Sequence, residues 1–247
     1  MSGPEDDALN ASENTDAPDS LIDRDSSIKY WNSISPDVNG MLGGYPQISR
    51  IDLRGSANFI AKLRRLSSTS PRSESRQARL PLAVDCGAGI GRITEGFLVK
   101  AFDTVDIVEP VAKFADKIKE KKENGLKEVG DIFITGLESW LPSKKYNLIW
   151  NQWCLGHLTD IQVVDYMRRC SEALAEGGWI AVKENLSTDA FAEDIYDEVD
   201  SSVTRSDKKF LDLFEEADLK LVRGEIQTGF PKALGLYPVK MYALRPK

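Results

Sequence analysis

The stretch LAVDCGAGIGRITEG, residues 82–96, constrains this chain more than any other. An apolar run breaks into glycines at 87, 89 and 91 and then turns amphipathic. That is the pattern of a strand entering a helix through a glycine loop. Downstream, strands are predicted at 82–86, 104–109, 131–135, 146–151, 178–184, 219–226 and 238–244, with helices at 91–101, 111–123, 160–175 and 207–217. Strands alternating with helices of this length predict a doubly wound, Rossmann-like α/β fold: a mostly parallel seven-stranded sheet with helices on both faces. The last two strands have no helix between them and are expected to pair antiparallel at one edge of the sheet.

Three segments precede this core, which is expected to span 80–247. Residues 1–26 are acidic and polar and hold too little apolar surface to offset ordering entropy, so a disordered tail is expected. Residues 27–66 are expected to form a helical cap that carries an unusually apolar loop, PDVNGMLGGYPQI. SSTSPRSESRQAR, residues 67–79, is expected to be a flexible linker.

The net charge of −7 bears on partners. Residues 1–25 hold eight acidic side chains and one basic one, which accounts for all of it. The folded part is therefore neutral overall and is not built to attract a polyanion, so no nucleic-acid partner is expected. No stretch approaches the ~20 apolar residues of a membrane span, so none is expected. The acidic N-terminus is unlike a secretory signal or a transit peptide. Three cysteines without a CxxC and a single histidine, His157, argue against disulfides and metal and for a reducing compartment. The expected location is the cytoplasm, with the nucleus also open to the chain.

The glycine spacing narrows the ligand. Dinucleotide sites use G-x-G-x-x-G, and here the third glycine falls one position early, with Arg92 in its place. Asp85, two residues before the first glycine, is poorly placed beside a pyrophosphate but well placed beside a cation. The second strand ends in Glu109, where an acid can accept hydrogen bonds from both ribose hydroxyls. A plain strand–helix turn would need neither acid. Together these residues suggest a nucleoside with positive charge and no phosphate, which describes S-adenosyl-L-methionine.

At this point the chain resembles the class I S-adenosylmethionine-dependent methyltransferases. More narrowly it is similar to the protein α-N-terminal methyltransferases that act on Xaa-Pro-Lys or Xaa-Pro-Arg N-termini. The segments that carry the resemblance are YW…PDVNGMLGGY, DCGAGIGRIT, TGL, IWNQWCLGHLTD, VKENL and DEVDSSVTRSD, which span about 30–245. The resemblance implies mono- to trimethylation of a protein α-amino group after removal of the initiator Met. It implies a cofactor site of Gly87, Gly89, Arg92, Glu109, Leu137 and Gln152, with Arg92 on the methionine carboxylate. In relatives the ribose acid is Asp rather than Glu109. Glu138 stands where an uncharged polar residue is familiar, and the loop before Tyr237 is about two residues longer.

The same resemblance implies His157 and Asp200 as the catalytic pair. His157 lies just past strand 146–151, at the carboxyl edge where ligands bind, and its unperturbed pKa of ~6.5 suits accepting a proton. Asp197 and Asp200 are spaced to share a face if their segment is helical. By resemblance Asp197, Asp200 and Ser202 receive the third substrate residue, and Asn185 binds the substrate N-terminus. Trp31 and Trp153 are candidates for an aromatic wall around the amine, which is cationic once methylated. Leu42, Ile48 and Tyr237 are candidate walls for the second-residue proline, with GMLGGY as a lid. Two alternatives stand: a small-molecule methyltransferase of the same fold, and a non-catalytic module that binds the cofactor or a peptide. An adenine methylase is disfavoured because Gln152-Trp153-Cys154 replaces a Pro-Pro-aromatic turn, and a dehydrogenase by the glycine spacing.

Overall fold

The computed structural model describes residues 17–67 and 78–247. After a 3₁₀ turn at Pro18–Leu21 come helices α1 (Arg24–Ser33), α2 (Val38–Met41) and α3 (Ser49–Ser67). The core then runs β1 (Leu80–Cys86), a π-helical turn at Thr94–Leu98 leading into α4 (Val99–Ala101), β2 (Phe102–Val108), α5 (Ala112–Glu123), β3 (Val129–Phe133) and β4 (Tyr146–Gln152). It continues with α6 (Asp160–Glu172), β5 (Leu174–Asn185), β6 (Ile195–Asp197), β7 (Ser202–Thr204), α7 (Asp207–Glu216), β8 (Leu219–Ile226) and β9 (Val239–Pro246).

Among the described residues the main sheet has seven strands in the order β3-β2-β1-β4-β5-β9-β8. Strands β1 to β5 pair in parallel, while β9 runs antiparallel to both β5 and β8. The helixless pair β8–β9 is thus the expected antiparallel hairpin, with β9 lying inside the edge strand. Apolar side chains cover both sheet faces. One cluster joins Val84, Ile149 and Val182 to α6 and α7, and the other joins Ala83, Ile107 and Trp150 to α3 and the π turn. Burial on both faces is why these strands read as continuous apolar runs rather than alternating ones. Among the described residues no helix is long and apolar enough to cross a membrane.

In local structure the chain departs from the sequence expectations in three places. Residues 17–26 do not extend the tail: they are ordered against the domain. Asp23 caps α1 by accepting from the Ser26 N–H (2.7 Å), and its own N–H donates to Ser201 Oγ (2.8 Å). Asp19 accepts from the Asp160 N–H (2.8 Å). Acidic residues that look like a disorder signal serve here as caps. The first sixteen residues of the expected tail, and 68–77 of the expected linker, lie outside the described residues. The expected helix at 91–101 contains a π turn around Gly96. There an added Cβ would come within 2.5 Å of the Leu53 side chain, so the glycine lets α3 pack close. Finally, Asp197 and Asp200 do not share a helical face. Asp197 ends β6 and Asp200 lies in the turn of the short β6–β7 hairpin, in which Asp197 pairs with Ser202. Asp197 turns its carboxylate onto the Val199 N–H (2.8 Å), and Ser201 takes a left-handed conformation (φ 54°), which together favour a tight turn over a helix.

Candidate active site

The sheet order reverses at β1. The chain leaves β1 toward β2 and returns, after β3, to β4 on the other side. Ligands of such sheets sit beyond the carboxyl ends of the strands at that point. A cavity of about 570 Å³ opens there, between the glycine loop, α1, α2 and the β6–β7 hairpin. Its size falls within the range usual for small-molecule sites.

Glycine is required on the cavity floor. Gly87 and Gly89 have φ of 65° and 55°. A Cβ on Gly87 would lie 2.5 Å from Cys154 Cβ, so the loops after β1 and β4 can meet only across a glycine. A Cβ on Gly89 would lie 2.7 Å from Met41 Sδ, on the helix that closes over the loop. Glu109, just past β2, accepts from the N–H groups of Gly89 (2.7 Å) and Val111 (2.8 Å) and faces the cavity. Burial outweighs those two bonds and pushes its carboxyl up to about 7. Asp85 does not face the cavity, contrary to its expected place beside a cation. It is fully enclosed and accepts from the Thr94 N–H (3.1 Å) and Oγ1 (2.6 Å), fastening the glycine loop to the helix that follows.

Arg92 reaches the cavity beside Gln152 and Trp153. Its Nη1 donates to Asp52 on α3 (2.7 Å), and the guanidinium lies 5.6 Å from the Trp153 ring centroid. Gln152 Nε2 donates to the same carboxylate (2.9 Å), and its Oε1 accepts from Trp150 Nε1 (3.2 Å). Leu137 closes this end as a buried apolar wall. Two polar side chains that sequence reasoning missed lie here on β5. Lys183 is fully buried and donates to Asp52 Oδ1 (2.5 Å), Ser56 Oγ (3.0 Å) and Gln227 Oε1 (2.8 Å). Glu184 faces the cavity and accepts from the N–H groups of Cys154 (2.8 Å) and Leu155 (2.9 Å); burial raises it to about 7. The signal was present: charged residues in WIAVKEN end a strand buried on both faces, so each must find a partner.

The other end of the cavity is built by α1 and the hairpin. His157 sits in a 3₁₀ turn after β4, with Ser27 Oγ 3.0 Å from Nδ1. Trp31 Nε1 donates to Nε2 (3.1 Å). An indole N–H can only donate, so Nε2 is the acceptor and Nδ1 carries the proton of the neutral ring. Burial lowers the His157 pKa, opposed by the charge of Asp200 and the Ser201 carbonyl, so the ring is neutral at physiological pH. Asp200 lines the cavity, and its Oδ1 is buried without a hydrogen-bond partner. Trp153 Nε1 is likewise unpartnered, and Trp153 holds a left-handed backbone (φ 53°) that is costly for a bulky residue. Ser202, Asn185, Leu42, Ile48 and Tyr237 also line the cavity. Asp197 does not; it is exposed at the rim, where its charge and that of Asp200 both raise the Tyr30 hydroxyl, after burial. Of the seventeen residues that the sequence placed at the site, Asp85 and Asp197 stay outside the cavity lining.

These residues suit an adenosylmethionine. Gly87 and Gly89 leave a cradle no side chain could share, Glu109 presents a carboxylate at its wall, and Arg92 offers a guanidinium to an anion.

Comparison with known proteins agrees. Residues 19–245 match the family described as AdoMet dependent proline di-methyltransferase. Alpha N-terminal protein methyltransferase 1 of Schizosaccharomyces pombe is 46% identical over 223 residues, covering 89% of this chain and 94% of that protein. N-terminal Xaa-Pro-Lys N-methyltransferase 1-A of Xenopus laevis is 38% identical over 217 residues, covering 87% and 92%. A solved SAM-dependent methyltransferase from Leishmania major superposes with a TM-score of 0.78 at 35% identity, covering 91% of this chain and 86% of the other.

Proposed function

The chain belongs to the family of AdoMet-dependent proline di-methyltransferases, and from that premise we infer that it methylates the α-amino group of proteins whose N-termini read Xaa-Pro-Lys or Xaa-Pro-Arg. One observation carries the assignment of roles. A single cavity joins a glycine cradle and the Glu109 carboxylate at one end to a buried, unpartnered Asp200 oxygen at the other.

Bound adenosylmethionine supplies an electrophilic methyl group on a sulfonium. Every other requirement falls on the chain. An α-amine titrates near 7.7–8.0, so it arrives mostly protonated and is not a nucleophile until it gives up that proton. Asp200 Oδ1 is the acceptor, because among the described residues it is the buried side-chain oxygen at this end that no donor reaches. His157 takes a different part. Its Nε2 lone pair is tied to Trp31, and its neutral ring places no positive charge beside an incoming ammonium. It orients α1 and the amine rather than collecting the proton.

Asn185, at the end of β5, holds the substrate N-terminus, and the faces of Trp31 and Trp153 receive a nitrogen that becomes cationic on methylation. Leu42, Ile48 and Tyr237 form an apolar slot for the second-residue proline. Ser202 and the acidic rim of Asp197 and Asp200 meet the basic third residue, a charge-assisted contact stronger than a neutral one. That rim has no use in a site for an uncharged small molecule. A peptide beginning Ser-Pro-Lys, incubated with the enzyme and adenosylmethionine, should gain mass in whole methyl steps, and the same peptide N-acetylated should gain none. Equal methylation of the acetylated peptide would refute the assignment.

A further inference from the structure

Beneath the cofactor end of the cavity lies an enclosed charge cluster that is not balanced. Asp52 pairs with Arg92 at 2.7 Å and with Lys183 at 2.5 Å. Within ion-pairing distance there are thus two cations and one anion. The Asp52 and Lys183 side chains are fully buried, and Arg92 is 8% exposed. The remaining partners are neutral: Ser56 and Gln227 accept from Lys183 Nζ, and Gln152 donates to Asp52. Asp85, the next carboxylate, spends its Oδ2 on Thr94 and lies beyond ion-pairing distance of Arg92, whose charge reaches it only as a minor influence against burial. An uncompensated charge in a low-dielectric site is costly unless an opposite charge is supplied. Of the cluster, Arg92 and Gln152 reach the cavity, so a second anion in direct contact with Arg92 can come only from there.

We propose that Lys183 is a positioning residue for the cofactor's carboxylate: by drawing Asp52 onto itself, it keeps Arg92 short of an anion, and the carboxylate of the bound cofactor completes the cluster. Without Lys183, Asp52 would serve Arg92 alone and cancel it. The inference rests on the adenosylmethionine assignment. Its distinctive consequence is selectivity. Lys183 should matter for a ligand that carries the amino-acid carboxylate and not for the same nucleoside without it. A residue that merely holds the fold would affect both alike.

The experiment is calorimetric binding of S-adenosylhomocysteine and of 5′-methylthioadenosine, which lacks the amino-acid head, to wild type and two variants. Lys183→Met keeps the length of the side chain and removes its charge. Gln227→Glu keeps the shape of the side chain and sets a carboxylate where Gln227 Oε1 now lies 2.8 Å from Lys183 Nζ, so it balances the cluster from within while losing the Nε2 bond to Thr228 O (2.7 Å), and 5′-methylthioadenosine binding reports whether each variant is folded. Each variant should weaken S-adenosylhomocysteine binding by about tenfold or more, the scale of one charge-assisted hydrogen bond, and leave 5′-methylthioadenosine within about twofold. Equal weakening of both ligands, or wild-type affinity for S-adenosylhomocysteine in Gln227→Glu, overturns the inference alone. Wild-type protein that binds neither ligand overturns the cofactor assignment and this inference with it.

Discussion

The two ends of the cavity are finished to different degrees. At the cofactor end the polar side chains already have partners within the chain: Glu109 with two backbone N–H groups, Arg92 and Gln152 with Asp52, Glu184 with the turn after β4. At the acceptor end Asp200 Oδ1 and Trp153 Nε1 are buried and unpartnered, and Asp197 faces solvent. The first end is preorganised in geometry, short only of a second anion beside Arg92, so binding there needs little rearrangement. The second is left with buried polar atoms that have no partner at all, and the peptide supplies them. A buried acceptor without a donor raises the energy of the free protein. That energy is recovered when an ammonium arrives, which is where a proton acceptor needs it.

Substitutions can break this contrast or sharpen it. The largest effect is expected for Asp200→Asn, which keeps the shape of the side chain and removes its basicity. Turnover should fall by ~10²–10⁴, the usual contribution of a positioned acid–base group, with S-adenosylhomocysteine affinity unchanged in a parallel titration. Arg92→Ala should do the opposite. Cofactor affinity should weaken by about tenfold to a hundredfold, as for loss of a charge-assisted bond, while turnover at saturating cofactor changes less.

A smaller effect comes from pH. Glu109 is raised to about 7 by burial, so in the free enzyme it takes up a proton as the pH falls through that value. Ribose hydroxyls need the carboxylate as acceptor. Affinity for S-adenosylhomocysteine should therefore fall on the acid side, with a limiting slope of about tenfold per pH unit below 7, and Glu109→Gln should flatten the profile. If Glu109→Gln keeps the slope, another group carries it, and Glu184, also near 7, is the one to replace next.

The smallest effect is expected for Trp31→Phe, which removes the donor to His157 Nε2 and lowers turnover only several-fold, on the scale of one neutral hydrogen bond. Because the chain has a single histidine, nitrogen NMR of the imidazole reads its tautomer without assignment. Wild type should carry the proton on Nδ1, and Trp31→Phe should shift the ring toward a mixture.

Much of the fold was legible because a parallel sheet buried on both faces writes its strands as apolar runs and separates them with helices long enough to recognise. The glycine loop was legible for a related reason, since positive φ at Gly87 and Gly89 leaves few other residues possible. Other features depend on partners far along the chain. Asp19 and Asp23 look like a disordered tail until Asp160 and Ser201 are brought to them. Nothing near Lys183 in sequence announces Asp52, 131 residues away. The spacing of Asp197 and Asp200 fits a helix as well as a hairpin, and only the turn geometry at Val199 and Ser201 separates the two. Asp85 was misplaced because a carboxylate at the end of a strand can turn toward a ligand or back toward its own helix, and the Thr94 hydroxyl decides for the helix.

The most direct test is a crystal structure of the enzyme with S-adenosylhomocysteine and a Ser-Pro-Lys peptide. The peptide nitrogen should lie within hydrogen-bond reach of Asp200 Oδ1 and in line with the thioether sulfur, its proline between Leu42, Ile48 and Tyr237, and its lysine at the acidic rim. A peptide bound with its terminus away from Asp200, or an Asp200 turned out to water in the complex, would contradict the account.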